Sequence, residues 1–154
     1  MKKIISLTLL ALISFHSFAS NNPTIMQPIN QLFDAMRAHD SEKLLAQFTR
    51  NAQLQRVTIE NSIRPSNLNK FAEFVGQSEK HLDEKLFGLR IMQSGNLASV
   101  WAPFAFYLDG KLSHCGVNSI QLVKQNNQWK IHYLIDNVFQ GDCQQFITQQ
   151  SQTN

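Results

Sequence analysis

His114 is the residue of this 154-residue chain whose chemistry is most useful at neutral pH. An imidazole with an ordinary pKa of about 6.5 can take or give a proton there. Cys115 follows it directly, and a thiolate beside a histidine is a nucleophile. The flanking residues alternate as a strand does, however, and neighbours on a strand point to opposite faces. That alternation argues against a Cys–His dyad. Asp136 is the second acid–base candidate. Asp34, His39 and Asp40 cluster at the end of an N-terminal helical pattern, where Asp40 reads as a helix cap. His39, Asp40 and Asp136 lack HxxxH or comparable ligand spacing, so no metal site is expected. The chain has no Gly-rich phosphate loop, no GxSxG elbow and no paired-carboxylate signature, and no cofactor is expected.

These residues need elements to carry them. Ile25, Ile29, Leu32, Phe33 and Met36 fall at helical spacing and predict a helix over residues 23–38, which Pro28 either starts or kinks. Asp40 then caps a short helix over 41–47, with Leu44, Leu45 and Phe48 inward. Residues 51–58 alternate weakly and predict a strand, and 61–67, with Pro65, a loop. A third helix is expected over 68–78, capped by Ser66 or Asn67, with Leu68, Phe71, Phe74 and Val75 on its apolar side. From Asp83 onward the period becomes two. Strands are expected over 85–93, 97–108, 111–124 and 129–139, with Asp109-Gly110 a strong hairpin signal. Helices first and hairpin-linked strands after give an α+β fold, a curved antiparallel sheet with helices on one side.

Register decides which side chains share a face. If Asp109-Gly110 closes a two-residue hairpin, His114 lies opposite Ala105 and Asn118 opposite Trp101. If Lys124 faces Trp129, Asn118 lies opposite Ile135 and Ile120 opposite Tyr133. One face then carries Trp101, Tyr107, His114, Asn118, Ile120, Leu122, Ile131, Tyr133, Ile135 and Asn137, apolar at one end and polar at the other. The opposite face carries Cys115, Val117, Gln121, His132 and Asp136. A bulge at Pro103 would invert part of this assignment, because one slipped residue moves every side chain across the sheet.

The first residues carry an address. Met1-Lys2-Lys3 is positive, residues 4–15 are nearly all apolar, and Ser17-Phe18-Ala19 offers small side chains at −3 and −1. This is the pattern of a secretory signal peptide, cut after Ala19. The expectation is a periplasmic or secreted protein with no stable membrane insertion after cleavage. The division is 1–19 signal peptide, 20–143 one domain and 144–154 a frayed, Gln-rich polar tail; about 135 mature residues suit one domain. Cleavage removes Lys2 and Lys3 and lowers the formal charge of +3 to about +1. With Lys and Arg scattered, no nucleic-acid partner is expected. In an oxidising compartment the two cysteines become a plausible disulfide. The assumed register sets Cys115 opposite Val138, and the chain can return past Gly141 to bring Cys143 near. A bridge would staple the tail to the outer face; two free thiols are the alternative.

The layout resembles the NTF2-like superfamily, cystatin-like cones that include SnoaL-like and lumazine-binding-like exported bacterial proteins. The segment VWAPFAFYLDGKLSHCGVN, residues 100–118, carries the local likeness, which continues through Gln128-Trp129-Lys130-Ile131 to Asp136. The resemblance implies a sheet wrapped around N-terminal helices, with a pocket between them. It implies a small, partly apolar ligand there, held by Trp101, Tyr107, His114, Asn118, Tyr133 and Asn137. It also implies a homodimer through the open sheet face, with Phe104, Phe106 and Val117 supplying apolar area. The superfold hosts isomerases, cyclases, dehydratases and binders, so it does not name a reaction. The binding reading therefore stands beside an enzyme using His114 as acid–base, with Tyr107 or Asn118 as polarising donor, and beside a dimerising interaction module.

Overall fold

The computed structural model describes residues 23–152; the leader pattern lies outside the described residues. Among the described residues, three helices and a seven-stranded sheet make the body, and a fourth helix follows the last strand. Helix α1 (Pro23–Arg37) buries Ile25, Ile29, Leu32, Phe33 and Met36, the stripe read from the sequence. Pro28 lies inside α1 rather than at its start. Asp40 caps α2 (Ser41–Leu45) by accepting from the Lys43 amide at 2.9 Å. Asn67 caps α3 (Leu68–Gln77) in the same way through Lys70. Each cap satisfies an amide that the first helical turn leaves unpaired.

The strands are β1 (Phe48–Val57), β2 (Ile63–Ser66), β3 (Leu82–Leu86), β4 (Arg90–Ser94), β5 (Leu97–Leu108), β6 (Lys111–Gln125) and β7 (Gln128–Val138). Their order across the sheet is β2-β1-β7-β6-β5-β3, with β4 also paired to β5. All pairs are antiparallel except β1 with β7, which is parallel. Asp109 and Gly110 both take positive φ, as do Asn126 and Asn127, so two tight hairpin turns link β5 to β6 and β6 to β7.

Several expectations need correction. Residues 63–66, read as loop, form β2, because Pro65 sits on an edge strand where its missing N–H costs no ladder bond. The single strand expected over 85–93 is two. Leu86 pairs with Phe104 and Arg90 with Trp101, so three residues bridge a gap opposite Ala102 and Pro103. Pro103 has no amide to offer there, and Gly88 absorbs the break at φ +45°. Residues 144–151, read as frayed tail, belong to helix α4 (Cys143–Ser151). Asp142 caps it through the Gln144 and Gln145 amides, and Phe146 is buried against Phe139, rings stacked at 4.9 Å. A disulfide joins Cys115 to Cys143 with Cα atoms 5.7 Å apart. The carbonyl of Gln150 passes so near Gly88 that a Cβ there would lie 2.4 Å from it.

The largest correction concerns register. Near the hairpin turns the pairing is as expected, Leu108 with Lys111 and Lys124 with Trp129. Beyond that, Ser113 and His132 are extra residues, each producing a bulge. His114 therefore pairs with Phe106 and not Ala105. Asn118 pairs with Ala102 and Asp136 in place of Trp101 and Ile135, and Ile120 with Leu134 in place of Tyr133. Cys115 pairs with Ala105, and Val138 faces Gly116. The inversion foreseen for a bulge at Pro103 comes from Ser113 and His132.

Candidate functional site

The inner face of the sheet and the helices enclose a cavity of about 280 Å³. Leu32, Phe33 and Met36 of α1 form one wall, Phe71, Phe74 and Val75 of α3 another. Leu54, Leu82, Phe106 and Leu134 supply the apolar floor from the strands. Phe74, expected to be inward, is 58% exposed yet still lines the cavity, so it stands at the rim. The polar lining is gathered in two rungs across the sheet. One runs Arg64, Arg56, Asp136 and Asn118 over β2, β1, β7 and β6; the other runs Glu84, Phe106 and His114 over β3, β5 and β6.

Within these rungs the side chains are joined. Arg56 grips Asp136 through Nε, at 2.8 Å and 3.0 Å from its two oxygens, and through Nη2. Such a fork is the strongest form of charge-assisted hydrogen bond. Asn118 Nδ2 donates to Glu84 Oε1 at 2.7 Å. Burial pushes the Glu84 carboxyl up to about 7, against the Asn118 hydrogen bond, which favours the charged form. Asp136 and Asp83 add to the rise, and Arg56 opposes it. Burial likewise lowers His114, helped by the field of Arg56 and opposed by Asp136. At neutral pH the site therefore holds a neutral imidazole, a carboxyl close to half-protonated and an ion pair. Ser113 Oγ lies 3.1 Å from His114 Nδ1, and Phe106 packs on the imidazole with ring centroids 5.1 Å apart. His114 Nε2 has no protein partner among the described residues, and the ring lines the cavity.

Of the residues read from the sequence, His114 and Asn118 reach the cavity. Trp101, Tyr107, Tyr133 and Asn137 do not, because the two bulges turn them to the outer face. There Trp101 is 48% exposed, and Tyr107 lies under the Lys85 ammonium, 4.9 Å from its ring centre. Tyr133 donates to Gln55 Oε1 at 2.7 Å, and Asn137 Oδ1 accepts from the Val117 amide. Asp136 moves the other way, from the outer face to the cavity. Phe104 and Phe106, expected on the open face, are inward: both pack on His114. His132 is exposed and 2.9 Å from Thr49 Oγ1. His39 is held by the Val75 carbonyl and Asp40 by its cap and Lys43, while Asp136 is taken by Arg56. These three share no ligand geometry among the described residues.

Sequence reading missed Glu84, Arg56 and Arg64. A signal existed for the first two. Leu82-x-Glu84-x-Leu86 and Leu54-x-Arg56 put a charge two residues from leucines, and therefore on the leucines' face of a strand.

Searches among known proteins agree with this architecture. No protein-family model matches the sequence, and no curated protein matches it. Solved structures do. An NTF2-like protein of unknown function from Shewanella baltica superposes with a TM-score of 0.61 at 14% identity, over 82% of this chain and 99% of that one. A cystatin-like-fold protein of unknown function from Nostoc punctiforme gives 0.65 at 15% identity, over 80% and 95%. The fold is NTF2-like. A third NTF2-like structure, from Streptomyces avermitilis and provisionally assigned as a dehydratase, gives 0.63 at 14% identity, over 77% and 96%. At these identities the likeness extends to the NTF2-like fold and not to a reaction.

Proposed function

We propose that this chain is an exported protein that binds a small, partly apolar molecule in the NTF2-like cavity. The observation that carries the reading is the division of the cavity, with Phe33, Leu54, Phe71 and Leu134 on its walls and Arg56, Glu84, His114 and Asn118 at one end. A ligand site has this composition, an apolar body with a few convergent polar groups. The leader pattern over residues 1–19 supports export to the periplasm or beyond, and the Cys115–Cys143 bridge suits that compartment. A thermal-shift panel of small apolar acids, amides, alcohols and ketones tests the binding. At least one compound should raise Tm in proportion to its concentration. Ser66→Phe, filling the cavity from its half-buried wall, should abolish that rise. A panel that leaves Tm unmoved refutes the reading.

A second reading is an isomerase, cyclase or dehydratase type of enzyme. Glu84 favours it, because a carboxyl poised near 7 that lines the same cavity as a neutral imidazole is suited to moving a proton at physiological pH. The Streptomyces relative provisionally assigned as a dehydratase agrees with it. Deuterium uptake into a bound ketone in heavy water, lost in Glu84→Gln and in His114→Gln, would establish proton transfer. Unchanged C–H bonds would leave binding as the function. The homodimer belongs to the same proposal. Its observation is Trp101, 48% exposed on an outer face shared with Val117 and Ile135, and light scattering reads the mass.

A further inference from the structure

Arg56 and Arg64 are direct cross-strand partners in the β1–β2 pair, and both line the cavity. Like charges directly opposite one another on a sheet are destabilising. One carboxylate, Asp136, stands next in the rung, and it is engaged by Nε and Nη2 of Arg56. Nη1 of Arg56 has no partner among the described residues. Arg64 makes no hydrogen bond or ion pair there, although its field acts on Glu60 in the β1–β2 turn. Two guanidinium groups thus face one cavity with one negative charge committed between them.

We infer that the ligand is a small carboxylic acid with a ring-sized apolar body, its carboxylate held by Arg64 and the free edge of Arg56. The inference rests on the cavity-binding reading and specifies its ligand. A planar monoanion matches the guanidinium fork and supplies the one charge the rung lacks. A phosphate dianion fits less well, because it would meet Asp136 and Glu84 with twice the charge. The body of the acid lies against Phe33, Phe71 and Leu54, with Phe74 at the rim.

Calorimetric titration of the purified protein at pH 6.5 with 3-phenylpropionate and with 3-phenylpropionamide tests this. The two probes share a body and differ in charge. The acid should bind about tenfold more tightly than the amide, the size of a charge-assisted pair. Arg64→Gln should bring the acid down to the amide's affinity and leave the amide unchanged, with circular dichroism confirming the fold. Equal affinity of acid and amide, or an acid indifferent to Arg64→Gln, overturns the carboxylate assignment and leaves the cavity reading standing. So does failure of both probes while neutral panel compounds raise Tm. Failure of every compound sinks both.

Discussion

Glu84 offers the sharpest test of the site's electrostatics. Its carboxyl sits at about 7 in the folded protein against an ordinary 4.5, so the folded state holds a proton that the unfolded chain releases. The groups facing it are Asp83 on its own strand, bonded in turn to Arg37 of α1, with Arg56 of β1, Asp136 of β7, and Asn118 and His114 of β6. Because the folded pKa is raised, the associated stability is fully present below 4.5 and is lost as pH rises through 7. The whole loss is about 3 kcal/mol at ~1.4 kcal/mol for each pH unit between the two values. His114 acts in the opposite sense. Its folded pKa is lowered from 6.5, so its contribution grows as pH rises toward 6.5 and is constant above that. The fall due to Glu84 is therefore partly masked below 6.5 and emerges between 6.5 and 7.

Glu84→Gln removes the charge and keeps an oxygen for Asn118. Its benefit is the lost penalty less about 1 kcal/mol for a weaker hydrogen bond, or roughly 2 kcal/mol in favour of the variant at pH 8. At pH 5 the two proteins should have nearly equal stability. Urea unfolding at pH 5, 6, 7 and 8 measures the difference, and the His114 contribution cancels between them. A wild-type-minus-variant difference that is the same at pH 5 and pH 8 would show that Glu84 holds no proton in this range, and the acid–base reading would lose its main support.

Arg64→Gln relieves the cross-strand repulsion with Arg56, so the ligand-free variant should be more stable by a few tenths of a kcal/mol at low salt, converging on wild type at high salt; chemical denaturation at two ionic strengths checks it. Asp136→Asn leaves Arg56, with its side chain 33% exposed, without its carboxylate; it should cost about 2 kcal/mol, and adding Arg56→Gln should recover part of that in a double-mutant cycle. Opening the Cys115–Cys143 bridge, 28 residues apart in sequence, should cost about 3 kcal/mol, read as a fall in Tm on reduction or in the paired Cys→Ser variant. Limited proteolysis of that variant should cut first in residues 143–152, where helix α4 depends on the bridge and on Phe146 for its docking.

The elements of this fold were legible wherever a short-range rule governed them. The stripe in α1, the caps at Asp40 and Asn67, and the Asp109-Gly110 and Asn126-Asn127 turns depend on residues within one helical turn or one hairpin. The elements that were missed depend on distant partners. Edge strand β2 exists because Arg64 and Pro65 can pair with β1. Helix α4 has little amphipathic character of its own and is fixed by Cys115, Phe139 and the Gly88 passage. No local window contains those partners.

The site shows the same division in a stricter form. His114 and Asn118 were placed on the cavity face, but for a pairing that the structure does not adopt. Counting from the two hairpin turns assigns the near residues correctly, and the count fails at Ser113 and His132, which look like ordinary strand residues in sequence. Each bulge shifts its pair by one, so Tyr133 and Asn137 leave the cavity face and Leu134 and Asp136 enter it. The chemistry of the pocket turns on that exchange. With the unbulged register, His114 would share its face with Trp101, two tyrosines and two asparagines, a neutral stacking site. With the bulges it shares a cavity with Asp136, Arg56 and Glu84, and the fields of the first two act on its proton directly. The bulges are therefore what converts an apolar cone into a charged one. Deleting Ser113 takes out the extra residue and leaves Leu112 paired with Tyr107 and His114 with Phe106, so the cavity face should be kept and a ligand that depends on His114 should bind the deletion variant as it binds the wild type; calorimetric titration that finds this binding lost would show that the bulge itself, and not only the register beyond it, shapes the site.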